Sequence, residues 1–156
     1  MLFRSQRPTA QALLDAFGRL HSYLRISVTD RCNYRCTYCL PEEGLEWMPR
    51  DQLLSYEEIA RLVTVFAKMG VRRVRLTGGE PTVRKDILEL VRSIAEVPGI
   101  EDVSMTTNGH LLAPMAPSFR SAGLRRVNIS LDSLDAKVFG EVTRGGKLAE
   151  IGRAHV

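Results

Sequence analysis

At 156 residues, 44% of them hydrophobic and 26% charged, the chain is long enough for one domain with a real core. Its 22 Lys and Arg against 18 Asp and Glu give a net charge of +4, below the charge density of a dedicated nucleic-acid binder, so a small polyanion is a better expectation than DNA. No run of about 18 apolar residues is present to span a membrane, and the first 17 residues lack the apolar core of a secretory signal, so a reducing, cytoplasmic setting is expected.

In chain order, residues 9–17 are predicted as a short helix with Thr9 as N-cap and Gly18 as its stop. Residues 23–29 follow as a strand, with Leu24, Ile26 and Val28 alternating against Arg25, Ser27 and Thr29. A loop holding all three cysteines comes next, then a polar connector with the lone Trp47. Ser55 and Glu58 have capping-box spacing, and the helix they open is predicted to bury Ile59, Leu62, Val63 and Phe66 and to end at Gly70. A second strand at 72–77 breaks at Gly78-Gly79-Glu80-Pro81, and a helix over 84–96 is predicted to bury Ile87, Leu88, Val91, Ile94 and Ala95. A third strand at 102–106 runs into Thr107-Asn108-Gly109. The helix over 111–122 contains Pro114 and Pro117, which predict an irregular or late start. A fourth strand at 126–131 ends in Asp132-Ser133, and a fourth helix begins near Asp135.

Strand, loop and helix thus recur every 25 to 30 residues or so, the rhythm of α/β units stacked on a parallel sheet. Ligands of such units collect at the carboxyl ends of the strands. The unusual residues of this chain all fall there: the cysteines, GGEP, TTNG and SLDS.

Cys32, Cys36 and Cys39 form a C-x-x-x-C-x-x-C cluster, which reads first as a metal or iron–sulfur site, because thiolates are soft ligands and short gaps let one loop wrap one inorganic centre. A structural zinc ion would need a fourth ligand, for which His21, His110 and His155 stand at no motif spacing. A Cys36/Cys39 redox pair would leave Cys32 without a role. A four-iron cluster on three cysteines keeps one iron open to a small molecule. Gly78 and Gly79 let backbone approach a ligand closely and Glu80 adds a carboxylate, though the same residues also suit a plain strand-to-helix turn. Several arginines, Arg25, Arg31, Arg75, Arg84 and Arg144, lie in or beside these loops. Arg25 and Arg75 could grip phosphate oxygens bidentately, or simply face solvent.

Taken together, YLRISVTDRCNYRCTYCLP, VRLTGGEPTVRKD, TTNG and LRRVNISLDSLD resemble the radical S-adenosylmethionine superfamily, and within it the GTP 3′,8-cyclase family of molybdenum-cofactor biosynthesis. The resemblance implies a partial TIM-type (βα) barrel, truncated after about four βα units, in which residues 1–17 are an extension and 18–150 the core. It implies that Cys32, Cys36 and Cys39 ligate a [4Fe-4S] cluster, that Tyr38, Gly78, Gly79, Glu80 and Ser130 meet S-adenosylmethionine, and that Arg25, Arg75 and Thr106 contact GTP. The implied reaction passes one electron to the sulfonium, takes the 3′ hydrogen of GTP and closes the ribose carbon onto C8 of guanine. A one-electron reductant such as flavodoxin or ferredoxin, cyclic pyranopterin monophosphate synthase as the next enzyme, and a homodimer are the implied partners. A radical enzyme acting on another substrate, such as a peptide maturase, and a non-catalytic metal-cluster module are the alternatives.

The family also has further βα units and a C-terminal region with a second [4Fe-4S] cluster that holds the guanine base. The chain alone is therefore expected not to cyclise GTP, and a bare last strand with a half-covered sheet predicts poor solubility. Residues 151–156, Ile-Gly-Arg-Ala-His-Val, resemble the translation of a widely used sequencing adapter and are read as a non-native tail.

Overall fold

The computed structural model describes residues 13–152. Its elements are β1 (Tyr23–Ser27), α1 (Tyr56–Lys68), β2 (Arg73–Thr77), α2 (Ile87–Ala95), β3 (Asp102–Thr107), α3 (Leu112–Ser121), β4 (Arg126–Ile129), α4 (Ala136–Thr143) and α5 (Leu148–Gly152). Single 3-10 turns, Arg50–Gln52 and Pro81–Val83, precede α1 and α2.

The four strands are parallel and lie side by side in chain order. Right-handed crossovers between neighbours taken always in the same direction carry every helix to the same face, which is how a sheet begins to curl into a barrel. The residues confirm it. Val74, Leu76, Val103 and Met105 form one buried cluster with Ile59 and Val63 of α1, Leu90, Val91 and Ile94 of α2, and Leu112 and Phe119 of α3.

The period-2 partners of those strand residues line the opposite face, the concave side of the half-barrel. They are polar: Arg25 is paired in register with Arg75, Arg75 with Ser104, and Ser104 with Arg126. A sheet buried on both sides reads as near-continuous apolar residues, and this one does not. Leaving the concave face open therefore exposes no core. At the β4 edge and beyond, Val127, Leu131 and Leu134 are exposed, as are apolar side chains elsewhere on the surface, among them Phe17, Leu62 and Val65.

Helix α1 begins as its capping box requires: Ser55 Oγ accepts from Glu58 N at 3.2 Å and Glu58 Oε2 from Ser55 N at 2.7 Å. Its buried face is Ile59, Val63 and Ala67, with the predicted Leu62 turned to solvent. In α2 the missed core residue is Leu90. Helix α3 runs from Leu112 with Pro117 inside it. Pro114 falls in its first turn, where an amide is unpaired in any case.

The predicted helix over 9–17 is not formed where the chain is described; Thr9 itself lies outside those residues. Leu14 instead bridges Leu20 in antiparallel fashion across a tight turn. The carboxylate of Asp15 accepts from Phe17 N and Arg19 N, both at 2.9 Å, and Gly18 has φ +75°. A side chain that captures amides two and four residues ahead removes the donors a helix would use.

Candidate functional site

The carboxyl ends of the strands meet at an open cavity of about 190 Å³, lined by Cys32, Cys36 and Cys39 together with Tyr38, Gly78, Gly79, Glu80, Thr106 and Ser130. Four loops separated by as much as 98 residues of sequence (Cys32 to Ser130) thus share one wall. Thr77, Thr107, Asn108 and Tyr34 complete it. Arg25 and Arg75 stand on the same concave face, two residues before Ser27 and Thr77, hence roughly 7 Å below the rim at strand rise. The Arg75 guanidinium lies 5.6 Å from the Tyr23 ring, and its buried Nε has no hydrogen-bond partner. A buried donor left unpaired at the floor of a polar trough is suited to an oxygen from a ligand.

The cysteine loop is held from three directions. From below, Gly79 N donates to Thr29 O at 2.7 Å and Glu80 N to Arg31 O at 2.8 Å, zipping the second loop to the chain that enters the first. A Cβ on Gly79 would lie 2.5 Å from Asp30 O and closer still to Arg31 O, and Gly78 has φ +143°. Of the two uses that the sequence allows these glycines, a ligand's approach and a tight turn, the contacts at Thr29, Asp30 and Arg31 fit the second, while both glycines also line the cavity. From within, Arg35 Nη1 donates to Cys32 O at 2.8 Å and Tyr34 O at 3.0 Å while its guanidinium stacks 5.2 Å from Trp47. From the side, Thr37 N donates to Val142 O at 2.9 Å, so the carboxyl end of α4 accepts from the loop.

Glu80 is 1% exposed. Its Oε1 accepts from Thr82 N at 3.0 Å, Thr82 Oγ1 at 2.6 Å and Thr107 Oγ1 at 2.7 Å, and its Oε2 from Asn108 N at 2.7 Å. A buried carboxylate with no cation beside it is tolerated only when its lone pairs are this fully used. Asn108, to which the sequence gives no role, also donates Nδ2 to Asn33 Oδ1 at 2.8 Å, tying TTNG to the cysteine loop. Tyr38 Oη donates to Asp132 Oδ1 at 2.9 Å and ties in SLDS. Of the flagged arginines, Arg84 is committed to Val28 O and Leu54 O, both at 2.6 Å.

Burial pushes the Cys32 thiol up, against the opposing Tyr34 N–H and with help from the nearby Glu80 charge; burial does the same at Cys36. Any metal taken up there must displace those protons. Behind the loop, Tyr34 packs edge-on against His110 and Phe139, and burial pushes its phenol up to about 12. Tyr56 is likewise raised to about 12, chiefly by burial. The neutral phenol is the folded form, so the contribution is whole below the unfolded value of 10 and is lost as pH climbs through about 12. Absorbance at 295 nm should show these two rings, and Tyr38, whose phenol is also pushed up by burial and by its Asp132 partner, ionising late, Tyr34 and Tyr56 together with the loss of far-ultraviolet ellipticity. All four tyrosines ionising together near 10 with ellipticity intact would contradict it.

Residues 26–155 match the model of the radical SAM superfamily, and the chain belongs to that superfamily. Membership implies a [4Fe-4S] cluster and S-adenosylmethionine. Within it, the chain is 54% identical over 139 residues to a GTP 3′,8-cyclase of Limosilactobacillus fermentum, covering 89% of this chain and 42% of that protein. A GTP 3′,8-cyclase of Listeria monocytogenes is 54% identical over 141 residues (90% and 42%). A molybdenum cofactor biosynthesis protein of Caenorhabditis elegans is 54% identical over 130 residues (83% and 22%). The chain thus spans less than half the length of these relatives. Among solved structures, SuiB of Streptococcus suis bound to S-adenosylmethionine superposes with TM-score 0.58 at 25% identity over 78% of this chain and 27% of that one. The [FeFe]-hydrogenase maturase HydG gives 0.67 at 17% identity over 85% and 32%, a likeness of fold.

Proposed function

We propose that this chain carries the cluster-binding and S-adenosylmethionine-binding part of a GTP 3′,8-cyclase acting in molybdenum-cofactor biosynthesis. The observation that carries the reading is the shared cavity: three free thiols of one loop face the same space as Tyr38, Gly79 and Ser130. As placed, no three Cys, His, Asp or Glu side chains among the described residues are grouped to hold one metal ion, so the fit to a cluster with one open iron rests on donor chemistry, three free thiols on one loop. Among the described residues, neither His21 nor His110 lines the cavity with the three cysteines, so neither stands beside them as a fourth zinc ligand. In this reading Cys32, Cys36 and Cys39 hold the cluster, Tyr38, Gly78, Gly79 and Ser130 flank S-adenosylmethionine, and the bound pair supplies one-electron chemistry that begins with hydrogen abstraction from the substrate.

The protein's own contribution is placement. Glu80 is assigned to the wall rather than to the cofactor, since both of its oxygens are occupied. Arg25 and Arg75 grip the triphosphate from the concave face, with Thr106 above them at the rim, and the unpaired Arg75 Nε becomes one prong of a bidentate contact. The electron comes from a small reductant protein such as flavodoxin or ferredoxin, and the product passes to cyclic pyranopterin monophosphate synthase; a homodimer and a cytoplasmic setting complete the proposal. Among the described residues no helix is long and apolar enough to cross a membrane.

Anaerobic iron–sulfur reconstitution of the chain, followed by electron paramagnetic resonance of the reduced protein, tests the reading. A four-iron signal whose g values move when S-adenosylmethionine is added is expected. One zinc with no acid-labile sulfide, or a cluster indifferent to the cofactor, would reject it.

A further inference from the structure

Arg144 stands at the carboxyl end of α4 in the left-handed region, with φ +52° and ψ +59°. Only one other non-glycine residue among those described, Asp86, has a positive φ. Glycine is the usual residue at such a helix end, because a Cβ is strained there, and a glycine, Gly145, follows immediately. An arginine in this place costs conformational energy, which is retained where the side chain has work to do.

The work is visible at the other end of the side chain. Arg144 Nη1 donates to Arg35 O at 3.3 Å and to Leu40 O at 3.1 Å. Those two carbonyls bracket the turn that contains Cys36 and Cys39, a turn closed internally by Cys39 N and Leu40 N donating to Cys36 O at 2.9 and 3.1 Å. Arg144 Nη2 also lies 3.9 Å from Glu42 just beyond it. One guanidinium thus pins both ends of the segment carrying two of the three thiols. Cys32 lies outside that bracket, its carbonyl held instead by Arg35.

We propose that Arg144 is a positioning residue for cluster assembly: it latches the turn carrying Cys36 and Cys39 in the shape that presents both thiols to the cavity. The latch rests on the reading that the three cysteines hold the cluster. Removing it frees these two cysteines while leaving Cys32 and the fold in place.

The test uses the whole chain as Arg144→Gly and Arg144→Lys. Glycine relieves the strained helix end, so the melting temperature of Arg144→Gly should equal or exceed that of the parent. In the metal-free protein, iodoacetamide labelling resolved by mass spectrometry should run at least threefold faster at Cys36 and Cys39 and unchanged at Cys32. Iron and sulfide retained after reconstitution should fall below half. Lysine, which can still reach a carbonyl, should restore part of both. Labelling and iron content equal to the parent's would overturn the proposal. So would faster labelling at all three cysteines with a lower melting temperature, which would make Arg144 an ordinary contact of the fold. A parent that takes up no iron would instead sink the cluster reading, leaving the labelling comparison to judge the latch.

Discussion

Replacing Glu80 with alanine should cost the fold about 3–4 kcal/mol, a large part of the 5–15 kcal/mol that holds a typical domain. The carboxylate accepts four hydrogen bonds in a site that is 1% exposed. Two of the donors, Thr82 N and Asn108 N, are amides fixed by the backbone, each costing about 1–3 kcal/mol when left unpaired in the interior. The two threonine hydroxyls can rotate toward other acceptors and cost less. Glutamine is the milder change. Its amide nitrogen can face the hydroxyls or Asn108 N, but either orientation sets one N–H against another, so a loss of about 1–3 kcal/mol is expected. Urea denaturation followed by circular dichroism measures both; an alanine variant within about 1 kcal/mol of the parent would show that Glu80 is not the tie between the second and third loops. The same variants separate two roles for this carboxylate. A residue that chiefly met the cofactor would lose S-adenosylmethionine binding with stability intact.

Gly79→Ala should be as damaging by another route. Its Cβ would lie within contact distance of the Asp30 and Arg31 carbonyl oxygens, and neither can move without opening the hydrogen bonds from Gly79 N and Glu80 N that join the first two loops. A loss of about 3 kcal/mol or more is expected from two broken buried hydrogen bonds and the displaced backbone, together with failure to retain iron, because the displaced segment leads straight into Cys32. Gly44→Ala is the control. Gly44, unlike Gly79, has a positive φ, +88°, but open space around it, so it should lose only about 1 kcal/mol in strain. Equal effects of the two substitutions in urea titrations would mean that the close approach at Gly79 is unimportant.

The strands and most helices were legible because each was announced by a local signal. Alternation of Leu24, Ile26 and Val28 with polar residues marked β1, and Ser55 with Glu58 marked α1. The site residues at the rim were legible for the same reason, being runs of unusual residues at strand ends. What could not be read was any role that depends on a distant partner. Nothing near Glu80 says that Thr107 and Asn108 will saturate it, and nothing near Trp47 says that Arg35 will lie on it. Residues 13–17 misled because a helix-compatible composition contained Asp15, whose side chain competes for the amides. Helix α5, at five residues, is too short to show a period. The polar concave face was written in the strands all along, as Arg25, Arg75 and Thr106; its meaning depended on knowing which side the helices cover.

The bracket closed by Arg144 has a consequence in time. Leu40 and Arg144 are 104 residues apart, and a ribosome adding 5–20 residues per second needs roughly 5–20 s to make that interval. For those seconds the emerging cysteine turn has no latch, and its thiols are open to oxidants, stray metal and cluster donors alike. The final shape of the cysteine turn is a late event in the life of the chain, and the window before it is the period in which its thiols are least protected.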